Sequence, residues 1–303
     1  MSNFSYGGQA VIEGVMIRGQ KSAAVAVRRP NGEVVATCEP LPNLYTGPLR
    51  KFPFLRGILV LAETMALGTR ALMYSANVAL EEEDTPKDAK TKEGKASWAM
   101  LPLGLVIGIG FFFIVPLLLA KLLHLSSPFA FAAAEGVIRL AFFIAYLGAV
   151  SLLPDMKRVF AYHGAEHMTI AAHEHGHPLE ISDIRKHPKE HPRCGTAFLI
   201  TVMLVAIVVF SLVGLAHPPL WMTIASRLVL IPLIAAVSYE VIKFNAMHEN
   251  SIIGKIGMAP GIWLQYLTTR KPDDGQIEVA VAAMRTALKA DGVSLDDKAQ
   301  VVA

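Results

Sequence analysis

The sequence predicts an α-helical polytopic membrane protein: four transmembrane helices as two hairpins, with a small N-terminal cytoplasmic β element and cytoplasmic helices. Three observations carry that expectation. The 303 residues are 53% hydrophobic and only 17% charged, too apolar for an ordinary soluble domain. Four stretches, about Met100 to Leu123, Phe129 to Leu153, Thr196 to Leu215 and Leu220 to Ile242, reach the roughly 20 apolar residues needed to cross a bilayer core. Finally, Lys157, Arg158, Arg185, Lys186, Lys189 and Arg193 gather between the second and third stretches, whereas the hairpin loops near 124–128 and 217–219 hold no Lys or Arg. Basic residues stay on the cytoplasmic side, so both termini and the histidine-rich loop are expected there.

Taken in order, residues 1–50 form the β element. Gln9 to Ile17 mixes β-branched and polar residues, and Ala23–Val27 is joined to Val34–Ala36 through Asn31-Gly32, a hairpin-turn signal. The opening residues show neither a basic nor an apolar signal region, so the first span is expected to direct its own insertion. Residues 54–80 read as an amphipathic helix, with Arg56, Glu63, Arg70 and Asn77 at seven-residue spacing. That stripe belongs at the membrane interface or, by slight preference, against a polar protein partner. Residues 81–97, rich in charge and carrying Pro86, read as a disordered linker.

The first transmembrane hairpin occupies 100–153. Its second span contains Glu135 and Arg139, four apart on one helix face. Charges inside a span are costly unless paired, so a structural ion pair near the interface is expected, with Arg227 as a third member. Pro154 ends the span and Asp155 is placed to cap a new helix. A cytoplasmic histidine-rich metal-site loop spans 154–195, the second hairpin 196–243, and C-terminal cytoplasmic helices with a tail 244–303. Within the last, Met258 to Leu267 and Gln276 to Leu288 read as helices.

The chemistry concentrates at Tyr162-His163-Gly164-Ala165-Glu166-His167. On a helix, His163, Glu166 and His167 fall at i, i+3 and i+4 and share a face. Two imidazoles one turn apart can share a divalent ion, and a neighbouring carboxylate can accept a proton from water that the ion polarises. The order H-x-x-E-H is that of inverted zinc peptidases. Between Asp155 and Cys194 stand seven of the ten histidines. A third ligand is expected from Glu174, His191, Cys194 or Glu240. Glu240, 73 residues after His167, suits the peptidase analogy; Cys194 offers softness. His173, His175, His177 and His187 are expected to be solvated. The two cysteines, Cys38 and Cys194, do not suggest a structural disulfide in the cytoplasm. A net charge of +3 spread among acids gives no nucleic-acid stripe.

The segments Gly8 to Gly19, Tyr162 to His167, His191-Pro192-Arg193-Cys194-Gly195-Thr196 and Ser238-Tyr239-Glu240 together resemble the YqhQ-like family of bacterial multipass membrane proteins of unknown function, which carries the label predicted metal-dependent enzyme. The resemblance runs from about residue 6 to residue 285. It implies a bacterial cytoplasmic (inner) membrane location and a metal. The family usually has Lys after the second histidine; this chain has Met168.

Three functions are compatible with these residues. The first is a membrane-anchored hydrolase using a divalent metal, zinc above others, with His163 and His167 as ligands and Glu166 as general base. Its substrate would be a peptide, a lipid headgroup or a small ester. The second is a non-catalytic scaffold in which His163, His167, His191 and Cys194 close around a structural ion while the β element recruits a partner. A metal or proton transporter ranks last, because ionisable residues at mid-membrane are few. The bilayer is the expected partner, nucleic acid is not, and a homo-oligomer is compatible with such a chain.

Overall fold

The computed structural model describes residues 6–80, 103–104, 106–108, 110–216 and 218–293; the linker expected at 81–97 lies outside these. Four antiparallel strands open the chain, β1 (Gly7–Val11), β2 (Gly14–Arg18), β3 (Ser22–Arg28) and β4 (Val34–Pro40), paired in sequence order. The Asn31-Gly32 turn is present, with Gly32 at φ +91°. The stretch Gln9 to Ile17 is divided by a second tight turn at Ile12-Glu13, where Glu13 takes φ +51°.

Both faces of the sheet are covered, which is why β2 is buried almost throughout. Strand alternation sends Val15, Ile17, Ala24 and Ala26 to one face and Met16, Ala23, Val25 and Val27 to the other. The second set packs on Leu67, Ala71 and Val78 of α1 (Leu55–Ala79). This helix therefore meets protein along its buried face, and two members of its polar stripe, Arg56 and Glu63, are used for pairing. Glu63 is buried between Arg18 and Arg50, and Arg56 pairs with Glu240.

In the first expected span the described residues 103–104 and 106–108 are helical, and a π-helical turn at Gly110–Ile114 runs into α2 (Val115–Leu122). There follow α3 (Pro128–Val150), capped by Ser127, then α4 (Pro154–Glu174), α5 (Gly195–Gly214), α6 (Leu220–Val229), α7 (Ile231–Met247), α8 (Ile252–Thr268) and α9 (Asp274–Asp291). Among the described residues, α1, α3 and α5 are long and apolar enough to cross a membrane. The α6–α7 pair makes a fourth if its 49° bend is counted within one span. Pro232, in the first turn of α7, cannot donate a helical hydrogen bond and accounts for that break. Asp155 does not cap α4: Leu153 occupies the cap position without a side-chain bond, and Asp155 sits in the first turn, where it complements the helix dipole. The helix stops after Glu174, with Gly176 at φ +74°.

The other face of the sheet meets α4 and α9. Tyr162, Ala165, Met168 and Ala172 of α4 interlock with Ile277, Ala280, Met284 and Leu288 of α9 beneath Val15 and Ile17. The C-terminal helix thus completes the core around α4, anchored by an Asp273–Gln276 capping box.

Candidate metal centre

Because α4 is held on both sides, the face carrying His163, Glu166 and His167 has fixed neighbours. A Cβ at Gly164 would overlap the Arg270 carbonyl oxygen, so glycine lets α4 approach the end of α8 closely. At that distance His163 Nδ1 donates to the Thr268 carbonyl at 2.8 Å. One turn on, His167 Nδ1 donates to the Lys189 carbonyl at 2.7 Å. A carbonyl oxygen only accepts, so each Nδ1 carries the proton and each Nε2 keeps its lone pair. This is the arrangement by which an outer hydrogen bond orients a metal-ligating imidazole.

Both Nε2 atoms face Cys194. His163 Nε2 stands 3.2 Å from Cys194 Sγ, the two rings are 4.3 Å apart, and one donor atom from each of His163, His167 and Cys194 lies within 4.8 Å of the others. The sulfur is placed by two devices. Cys194 is the N-cap of α5, accepting from Thr196 N at 3.4 Å. The loop before it is pinned by fully buried Gln265, which accepts from His191 N at 2.7 Å and donates to His191 O at 2.9 Å. Burial works to raise the Cys194 thiol pKa. The neighbouring His167 and the bonds to Thr196 outweigh it and bring the group below its ordinary value, in line with thiols at helix N-termini. Burial depresses the pKa of His167, which favours the neutral ring that a metal requires.

Glu166 points to the same place from beneath β1. Its carboxyl is buried and Oε2 finds no hydrogen-bond partner among the described residues; His167 Nε2 is orphaned likewise. Burial, with a smaller contribution from Cys194 and against the charge of His163, pushes Glu166 up to about 8. Three converging donors, of which His167 Nε2 is without a partner among the described residues, beside the equally unpartnered Glu166 Oε2, could hold a metal ion. A cavity of about 310 Å³ opens on the group, bounded by Gly8, Arg18, Arg50, Glu63, His191 and Arg193.

The other expected site residues lie as follows. His191 is adjacent, its ring 5.7 Å from that of His167, but its Nε2 is engaged with Glu174 Oε2 at 3.1 Å. Glu174 also takes Arg193 Nη2 at 2.5 Å. Glu240 is not brought to the group: it lies on α7, where both carboxylate oxygens meet Arg56 and one accepts from Phe54 N. Of the histidines expected to be solvated, His173 is buried and stacks edge-on against Tyr6. His175, His177 and His187 form a second ring cluster, with centroids 5.0 to 6.2 Å apart. Sequence reasoning missed Gln265, Thr268 and Gly164. Only Gly164, a glycine inside the motif, left a visible sign.

The family model for proteins of unknown function designated DUF1385 matches residues 52–290. The chain is 34% identical over 304 aligned residues to the uncharacterized protein YqhQ of Bacillus subtilis (strain 168), covering 96% of this chain and 94% of that protein. No solved structure matches. A match over most of the length, together with a relative aligned nearly end to end, places the assignment beyond a shared motif: the chain belongs to the DUF1385 family.

Proposed function

We propose that the protein is a membrane-embedded, metal-dependent hydrolase whose site faces the cytoplasmic surface, with His163, His167 and Cys194 as ligands and Glu166 as general base. One observation carries this reading: three donors converge while Oε2 of the adjacent, buried Glu166 has no hydrogen-bond partner among the described residues. Three protein ligands beside an open position is the pattern of catalytic rather than structural zinc. When bound, a divalent ion would supply a Lewis acid and a positive charge that favours the ionised form of Glu166.

The protein's own residues do the rest. Glu166, held under Gly8, accepts a proton from the attacking water and returns it to the leaving group. Thr268 and Lys189 carbonyls keep both rings in the liganding tautomer. Arg18, Arg50 and Arg193 line the entrance, and they orient a polar substrate by hydrogen bonds. Glu174, bonded to His191 and Arg193, and Glu240, bonded to Arg56, hold the surrounding elements in place.

Metal analysis of the purified full-length protein tests the reading. His163→Ala and Cys194→Ser lose the ion, whereas Glu166→Gln keeps it. Loss in all three variants would favour a closed structural site with Glu166 as fourth ligand. A wild-type protein that takes up no stoichiometric zinc after chelator-free purification and resupply would end the proposal.

A further inference from the structure

Toward the opposite end of α5, beside Phe210 and about 24 Å from Cys194 by the helical rise, lies a second concentration of charge. Glu135, Arg139 and Arg227 are 1%, 3% and 2% exposed. Arg227 donates from Nε and Nη2 to the two Glu135 oxygens, and Arg139 Nη2 also reaches Glu135. Two guanidiniums thus share one carboxylate, leaving a surplus positive charge among helices that are otherwise apolar. An uncompensated buried charge is costly. The Phe210 ring, 3.9 Å from the Arg227 guanidinium and 5.3 Å from that of Arg139, offsets only part of that cost. The hydrogen bonds tell the same story. Besides Glu135, the pair reach only Phe112 O and Ser226 Oγ among the described residues. Each guanidinium offers five N–H donors, and these five bonds use half of the ten among the described residues.

A cavity of about 250 Å³ opens beside this group, between the two hairpin turns. Arg227 and Lys121 line it with the hydroxyls of Ser126 and Thr223, and Phe131 and Leu220 form apolar walls. Buried Arg227 on the inside, exposed Lys121 and the hydroxyls of Ser126 and Thr223 at the rim, and apolar walls on apolar helices match a molecule with an anionic head and hydrocarbon tails. We propose that this cavity binds the phosphate headgroup of an anionic phospholipid, which neutralises the surplus charge of Arg227 and Arg139. The inference rests on the chain being membrane-embedded and is independent of the metal.

The test is thermal unfolding of the full-length protein in nanodiscs of phosphatidylcholine alone or mixed with phosphatidylglycerol. The anionic lipid raises the unfolding temperature by about 4 °C or more, the scale expected for a saturating ligand on a chain of this size. Thr223→Val and Lys121→Gln, which leave the ion group itself intact, each lose at least half of that shift while unfolding at the wild-type temperature in phosphatidylcholine. Thr223→Ser retains it. Equal temperatures in the two lipid mixtures, a shift indifferent to both rim variants, or the same shift from inorganic phosphate in phosphatidylcholine nanodiscs would overturn the assignment.

Discussion

Gly8 on β1 lies directly over Glu166 on α4: a Cβ there would stand 2.8 Å from the carboxylate Oε1 and 2.7 Å from the Met16 carbonyl. The strand is hydrogen-bonded in the sheet and α4 is buried, so neither backbone can retreat cheaply. Gly8→Ala therefore turns the Glu166 carboxylate away from His167. Metal content is expected to stay near wild type, because no ligand is touched, while the metal-exchange rate or any hydrolytic turnover falls about 10-fold or more, the usual scale for displaced catalytic groups. Loss of metal in Gly8→Ala would mean that the sheet positions the ligands as well.

Gln265 holds the loop that supplies both Lys189 O and Cys194. Gln265→Leu leaves the His191 N–H and C=O without their partner, at a cost of about 1–3 kcal/mol for each group that stays buried. The loop then shifts, and zinc affinity drops about 10-fold to 100-fold, as for other outer-shell partners. Competition with a chromogenic chelator measures the affinity. An unchanged value would show that Cys194 is fixed by its cap position alone.

The second histidine cluster supplies a control. His177 Nδ1 and His187 Nε2 are 2.9 Å apart, but among the described residues no third donor closes with them into a site of the kind formed by His163, His167 and Cys194. Replacing His175, His177 and His187 together by Gln leaves the high-affinity metal stoichiometry unchanged. A fall by one equivalent would move the centre of attention to this surface.

Glu13 ties the β1–β2 turn to α4 through Arg158, with Nε at 2.6 Å, and through Tyr162. The hydrogen bond to Arg158, working against partial burial, holds its carboxyl below the ordinary value of 4.5. A depressed carboxylate pKa means that the folded state binds fewer protons than the unfolded one, so the contribution is complete above pH 5 and disappears as pH falls through the folded value. The Arg158 side chain is 57% exposed, which limits the effect to about 0.5–1 kcal/mol. Denaturant titrations of wild type and Glu13→Gln should differ by that amount at pH 7 and converge near pH 3. A gap that persists at pH 3 would indicate lost packing instead of lost charge.

The parts of this architecture visible in the sequence are those governed by short spacings. The 3.6-residue period put His163, Glu166 and His167 on one face, alternation and Asn31-Gly32 marked the β3–β4 hairpin, and apolar length marked α3 and α5 as membrane-crossing candidates. What escaped depends on contacts distant in sequence. Cys194 stood among four choices for a third donor, and nothing local distinguished it from Glu240, whose partner Arg56 lies 184 residues away. The Ile12-Glu13 turn was hidden because a glutamate rarely adopts positive φ. Gln265 carried no mark because its work, satisfying two main-chain groups of His191, leaves no motif. Glu135 and Arg139 were readable as a pair at i and i+4 with Arg227 as a third member; that both guanidiniums would share the single Glu135 carboxylate was a matter of tertiary packing.

Cys194 belongs at once to the donor group and to the N-cap of α5, so the sulfur is the short end of a stiff rod whose far end, at Val213 and Gly214, lines the second cavity. Over about 30 Å of helix, a rocking motion of about 5° about that far end would carry the sulfur about 2.6 Å, far outside the roughly 0.2 Å latitude of a metal–ligand bond. If the donor group holds an ion as proposed, the packing that fixes the lean of α5 would therefore also fix whether Cys194 is within reach of it.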